Sequence, residues 1–220
     1  MPATTAFTRP PDRLLESLQA YINRLARATL PRGRTEILNN ACKQITRQLA
    51  NGSTAKLTFI CTHNSRRSHL AQVWAQAAAH HYLLPNVHSF SGGTETTACN
   101  TRTVNAMRRA GHSIAPLSHG DNPKYQVQYA HDAQALTCYS KRFNTPENPA
   151  ANFIAMMCCA DVSEQCPIVP GAVSSVLLHY HDPQVADDTP QEAERYDQCC
   201  LQIAEEMFYL MAQVKANINE

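Results

Sequence analysis

Leu57-Thr58-Phe59-Ile60-Cys61-Thr62-His63-Asn64-Ser65-Arg66-Arg67-Ser68, followed by His69-Leu70-Ala71-Gln72-Val73-Trp74, decides the fold. The apolar run at its start reads as a buried strand ending on a cysteine. Leu70, Val73, Trp74 and Ala77 then recur at helical spacing on one face. A strand, a short loop and a helix N-terminus follow one another, so loop amides and helix dipole converge on whatever sits in the loop. That field favours an anion, and it would hold a cysteine at its mouth as thiolate. Arg67 adds a fork of donors suited to a tetrahedral oxyanion. The Cys-x5-Arg spacing alone is weak in a chain with 9 cysteines; its strand and helix context gives it weight. The bland alternative is a buried strand-end cysteine beside a solvated arginine pair.

Outward from this loop, the chain reads as α/β. Strands are expected at 57–61, Val87 to Ser91, Phe153 to Cys158 and Ser174 to His181, with helices at about 67–83 and Thr101 to Ala110. Thr189-Pro190-Gln191-Glu192 resembles a capping box opening a helix with Tyr196, Cys200, Ile203, Met207 and Leu210 along it. Asp187-Asp188 would favour that helix start. Residues 123–144 alternate at Tyr125, Val127 and Tyr129, then at Ala135, Thr137 and Tyr139, which suggests an inserted β-hairpin turning near His131-Asp132. The expected architecture is a four-stranded, mostly parallel sheet covered by helices on both faces. Ahead of it, Leu14 to Leu25 and a helix capped by Thr35 and carrying Leu38, Cys42, Ile45 and Leu49 form an N-terminal helical hairpin, separated by Pro31-Arg32-Gly33-Arg34. This gives a helical extension over 1–54 and a catalytic domain over 55–220, with residues 1–11 a loose tail. The hairpin is too small for its own core and must pack on the main domain or on a second copy as a homodimer.

A formal net charge of +1 gives no electrostatic case for nucleic acid or an anionic membrane, and Lys and Arg do not crowd one face of the hairpin. No apolar stretch approaches a membrane span, so a cytoplasmic protein is expected. In a reducing compartment nine cysteines read as catalytic, redox-active or buried thiols. Cys42, Cys99, Cys138, Cys199 and Cys200 are read as buried or incidental. His80-His81 and His179-x-His181 lack the tight spacing of a metal site, and no metal or cofactor is expected. Ligands of parallel sheets bind at the carboxyl ends of strands. Cys61, the Cys158-Cys159 pair with Cys166 beyond it, and Asp182-Pro183 all fall on that edge.

Cys61-Thr62-x-Asn64-Ser65-x-Arg67-Ser68, Asp182-Pro183 and the C-terminal helix resemble the low-molecular-weight protein tyrosine phosphatases, and more closely the thioredoxin-coupled arsenate reductases on that fold. Ser91-Gly92-Gly93-Thr94-Glu95 is similar to their Ser-Ala-Gly-x-Glu stretch, and Cys159-x6-Cys166-Pro167 to their second and third redox cysteines. The resemblance covers roughly 56–215. It implies that Cys61 attacks arsenate, that Thr62, His63, Asn64, Ser65, Arg66, Arg67 and Ser68 form the oxyanion loop, and that Asp182 is the general acid. Cys159 would then attack the Cys61–arsenic adduct, and Cys166 would carry the disulfide outward to thioredoxin. The chain departs from the family pattern at His63, where the family has Gly, at Arg66, where many relatives have Cys, and at Gln72, where potassium-binding reductases have Glu. Phosphatase action remains the alternative, although Gln184 and Val185 after Asp-Pro offer no ring to stack on a phenol. A non-catalytic oxyanion-sensing module is the third reading.

Overall fold

The computed structural model describes residues 14–25, 30–50, 52–131, 133–159 and 168–218. Four strands, β1 (Ala55–Cys61), β2 (Val87–Gly93), β6 (Phe153–Met157) and β7 (Ala172–Leu177), form a parallel sheet in the order β2-β1-β6-β7. β1 is central, and its last residue Cys61 lies in register with Gly93 at the end of β2. The strand reads as an unbroken apolar run because both faces are covered. Leu57, Phe59, Ile154 and Met156 enter the large core shared with the helices. Ile60, Phe153, Ala155 and Met157 face a smaller cluster closed by Val169, Phe143 and Ala172. Among the described residues, the second face is covered by irregular chain rather than by helices. The register shifts between Phe153 and Ile154, leaving Val173 opposite no residue of β6.

The helix after β1, α3 (Arg67–His81), begins where the loop pattern places it. It is buried almost all round, from Ser68 to Ala79 with Gln76 the exception, since sheet and helices surround it. The last helix, α5 (Glu192–Ile218), packs on α2 (Arg32–Ala50), α3 and α4 (Thr101–Arg109). The inserted segment forms a three-stranded antiparallel sheet, β3 (Ser113–Pro116), β4 (Tyr125–Gln128) and β5 (Leu136–Cys138). The expected hairpin is β4-β5, although Asp132 of its turn lies outside the described residues. On β5 the inward side chains are Leu136 and Cys138, one residue out of phase with the expected set, and Thr137 is exposed.

Both N-terminal helices are present, and each finds its apolar partner on the main body. α1 (Glu16–Leu25) is pinned by Leu15 N–H to the Tyr129 carbonyl (3.0 Å), by Ser17 to the Gly111 carbonyl (2.8 Å), and by Tyr21 stacked on Trp74. α2 packs on α5, β1 and β7. It starts at Arg32, three residues before the expected cap. The amides of Arg34 and Thr35 both donate to the Pro31 carbonyl, while the Thr35 hydroxyl donates back to Arg32. Its C-terminus closes with Gly52 at φ +69° donating to Leu49. The Thr189 capping box also differs. The Thr189 hydroxyl donates to the Ala186 carbonyl, and the Glu192 carboxylate accepts the Asp188 amide, so α5 starts at Glu192. The fourth strand ends at Leu177, not His181; Leu178 and Tyr180 are buried without belonging to the ladder. Residues 1–11 lie outside the described residues. Among the described residues, no helix is long and apolar enough to cross a membrane.

Candidate active site

The turn after β1 wraps around the Cys61 sulfur. The Asn64 amide donates to Sγ at 3.1 Å, and the Ser68 hydroxyl lies 3.0 Å from it. Asn64 takes the left-handed conformation, φ +46°, that lets the loop double back, and Asn tolerates this better than most residues. Its side chain donates to Ser68 Oγ (2.9 Å) and accepts the Lys141 amide (3.0 Å). Its carbonyl takes a hydrogen bond from His69 Nε2 at 3.0 Å. That contact fixes the tautomer of a fully enclosed imidazole, which burial and then nearby Lys141 hold neutral, its pKa pushed down to about 3. Ser140 donates to the His63 carbonyl (2.7 Å), and Ser65 to the Ala98 carbonyl (2.7 Å). The chain leaving β5 is thus a brace for the loop, a role that sequence spacing had no means to signal.

Gly93 lies against the loop from the other side. A β-carbon there would sit 2.4 Å from the Glu95 carbonyl, 2.6 Å from the Thr62 carbonyl and 2.8 Å from the Asn64 amide, all backbone atoms. Gly93→Ala is expected to cost about 3 kcal/mol, since backbone cannot yield as a flexible side chain does. It should also abolish protection of Cys61 by phosphate. Chemical denaturation and alkylation with iodoacetamide measure the two effects.

Cys159 completes the sulfur site. Its Sγ accepts the Thr62 amide at 3.3 Å, and its thiol hydrogen-bonds to Cys61. That bond, the Ser68 hydroxyl and the Ser65 and Ser68 amides outweigh burial and lower the Cys61 pKa to about 5. Its partner moves the other way: sharing the hydrogen bond with Cys61, together with burial, pushes Cys159 far up. At neutral pH the pair is a thiolate with a thiol donating to it. Cys158 points elsewhere, its thiol 3.6 Å from the Met156 carbonyl, wholly buried and raised by that burial. Cys166 lies outside the described residues. The cysteines read as incidental, Cys42, Cys99, Cys138, Cys199 and Cys200, are all buried free thiols. Iodoacetamide should alkylate Cys61 with a half-maximal rate near pH 5, the rate holding above that pH and falling below it as the thiolate is protonated. Ser68→Ala should move this midpoint upward.

Asp182 and Arg67 meet across the mouth. Arg67 Nη2 is paired with Asp182 Oδ2, and Nη1 donates to the Tyr180 carbonyl at 2.9 Å. Asp182 also caps a 3-10 turn over Pro183–Ala186 by accepting the Gln184 amide at 3.1 Å. Cys61, Thr62, His63, Ser65, Arg66, Arg67 and Asp182 line one cleft. His63 is half exposed, with Nε2 3.4 Å from Glu95. Arg66 turns its guanidinium sideways, Nε to the Tyr196 hydroxyl (2.9 Å) and Nη2 to Asp187 (3.4 Å). Arg102 reaches Asp188 and Glu192 at 2.6 Å each. Asp187 and Asp188 thus do more than favour a helix start: two arginines bind them and tether the acid-bearing loop. Tyr180, Tyr196, Asp187 and Arg102 were not anticipated as site residues.

The chain is 26% identical over 140 residues to an arsenate reductase of Bacillus licheniformis, spanning 64% of this chain and 82% of that protein. It is 27% identical over 134 residues to one of Bacillus subtilis, spanning 61% and 78%. Its sequence is similar to those of bacterial arsenate reductases. No model of a protein family matches it. Among solved structures it is similar to an arsenate reductase in a phosphate-binding state, with a TM-score of 0.47 and 17% identity over 73% of this chain and 99% of that one. It is also similar to a low-molecular-weight phosphotyrosine phosphatase of Vibrio cholerae, with a TM-score of 0.39 and 13% identity over 72% and 94%. A thioredoxin-dependent arsenate reductase of Corynebacterium glutamicum gives 0.38 and 18% over 89% and 84%.

Proposed function

We propose that this protein reduces arsenate to arsenite through a three-cysteine relay. The observation that carries the reading is a second thiol, Cys159, seated on the Thr62 amide of the loop that encloses the Cys61 sulfur; ester hydrolysis has no need of it. Cys61 Sγ attacks arsenic, and a hydroxyl leaves as water with the proton of Asp182. Loop amides and Arg67 hold the remaining oxygens. Cys159, giving up its proton, attacks Cys61 Sγ. The S–As bond breaks, its electron pair stays on arsenic, and arsenite leaves. One S–S bond has formed and arsenic has gained two electrons. Cys166 then attacks Cys159, frees the Cys61 thiolate and leaves a Cys159–Cys166 disulfide for a thioredoxin-type dithiol to reduce. In this scheme residues 55–220 carry the chemistry and 1–54 form an extension.

A phosphatase acting through a phosphocysteine is the second reading, favoured by one observation: Cys61, Arg67 and Asp182 line the same cleft and would serve an ester equally. The test is turnover of arsenate with thioredoxin beside hydrolysis of p-nitrophenyl phosphate, on one preparation. Arsenite formation coupled to thioredoxin oxidation supports the reductase; brisk hydrolysis without it supports the phosphatase. Asp182→Asn should slow arsenate turnover by about 10²–10⁴-fold, the usual worth of a positioned general acid. A near-normal rate would place the acid elsewhere.

A further inference from the structure

Arg34 stands on α2, ahead of the four-stranded sheet in the chain, yet its guanidinium lies at the root of the acid-bearing segment. Nε donates to Glu206 Oε1 on α5 at 2.8 Å, and Nη2 pairs with the other carboxylate oxygen. Nη1 donates to the carbonyl of Leu178 and, at 3.4 Å, to that of His179. The guanidinium also stands 5.2 Å from the centroid of the Tyr180 ring. Glu206 is only 1% exposed and accepts from the Tyr180 hydroxyl (2.8 Å) and the Gln202 amide (3.1 Å).

The segment so gripped lies beyond the end of β7 and needs holding. The amides of Leu178, His179 and Tyr180 donate back to the end of β6, and His179 is forced to φ +48°. The carbonyls have no strand to pair with. Arg34 takes those of Leu178 and His179; Arg67 takes that of Tyr180. Two residues further on is Asp182. A buried ion pair seldom stabilises a fold more than apolar residues of the same shape, so stability alone is a poor reason for one here. A fixed geometry for the next few residues is a better one.

We propose that Arg34 is a positioning residue for the reaction: through Glu206 and the carbonyls of Leu178 and His179, α2 sets the segment that presents Asp182 to the cleft and anchors Arg67. The catalytic part rests on the site reading above; the brace itself does not. A displacement of about 1 Å of a reacting group can cost about 10²-fold in rate.

Arg34→Met alone would leave Glu206 buried without a partner and prone to unfold the chain. The test therefore uses the full-length double variant Arg34→Met/Glu206→Gln, with Arg34→Lys beside it. In the double variant, amide hydrogen exchange over residues 178–187 should quicken about tenfold while α3 and α5 keep their protection. The Cys61 alkylation profile should not move. Hydrolysis of a phosphate ester with a poor leaving group should fall about 10–100-fold, and that of p-nitrophenyl phosphate much less, because its leaving group needs little help from an acid. Arg34→Lys should restore part of the loss. Unchanged exchange over 178–187, or exchange that quickens equally throughout α3 and α5, overturns the brace. Loosened exchange with an unchanged or leaving-group-independent rate overturns the positioning role. A wild-type protein that turns over neither arsenate nor an ester refutes the proposed function instead, and exchange then still decides the brace.

Discussion

The Cys61→Ser protein should fold, melt close to the wild type, and turn over neither arsenate nor a phosphate ester. The expected loss is on the order of 10⁴–10⁶-fold, the scale on which removing a nucleophile acts. The reason is ionisation. The Asn64 amide, the Ser68 hydroxyl and the Cys159 thiol surround an atom that becomes an anion near pH 5 when it is sulfur. A serine hydroxyl starts so much higher that the same donors leave it protonated. Those donors still find an acceptor in the oxygen, which is why the loop should survive. Activity measured beside thermal melting checks both halves, and a substantial residual rate removes Cys61 from the centre of the scheme.

The second large effect separates the two enzyme readings. Cys159→Ser and Cys166→Ser should each stop repeated arsenate reduction while sparing ester hydrolysis. Without Cys159 nothing internal attacks the arsenic adduct on Cys61; without Cys166 the first disulfide forms and stays. Cys158 is the obvious substitute for its neighbour, but the two thiols diverge, one toward the Met156 carbonyl and the other onto the Thr62 amide. Adjacent residues at a strand end face opposite ways. Peptide mapping by mass spectrometry after one turnover without reductant should find Cys159 joined to Cys166. Three free thiols in a sample that hydrolyses esters briskly would refute the reductase.

What the sequence made legible follows from locality. β1, the loop and α3 are contiguous, so apolar run, turn and helical face could be read within 25 residues, and α3 begins at Arg67 as its pattern implies. The Gly92-Gly93 pair likewise sits in register beside it. Arg34 and Glu206 are 172 positions apart, and nothing in either neighbourhood announces the other. Arg66 looked like a second oxyanion ligand; only the fold brings it to Tyr196, 130 positions on. The two misplaced helix starts share a cause. Thr35 and Thr189 carry the right side chain for a cap, but each hydroxyl found a nearby carbonyl to donate to instead. The fourth strand was drawn too long because burial of Leu178 and Tyr180 imitates a ladder that ends at Leu177. β3, four mostly exposed residues ending in proline, offered no pattern at all.

The slipped register beside Val173 bears on how this protein behaves in a crowd. β7 closes its side of the sheet, and an open strand invites a neighbouring molecule's backbone to zip onto it. Val173 is 56% exposed and Leu177 38%, which would make that invitation worse. The extra residue bends the strand and breaks the even row of donors and acceptors that such zipping needs. A flat rim would template stacking from molecule to molecule; this one offers a second strand only an interrupted grip.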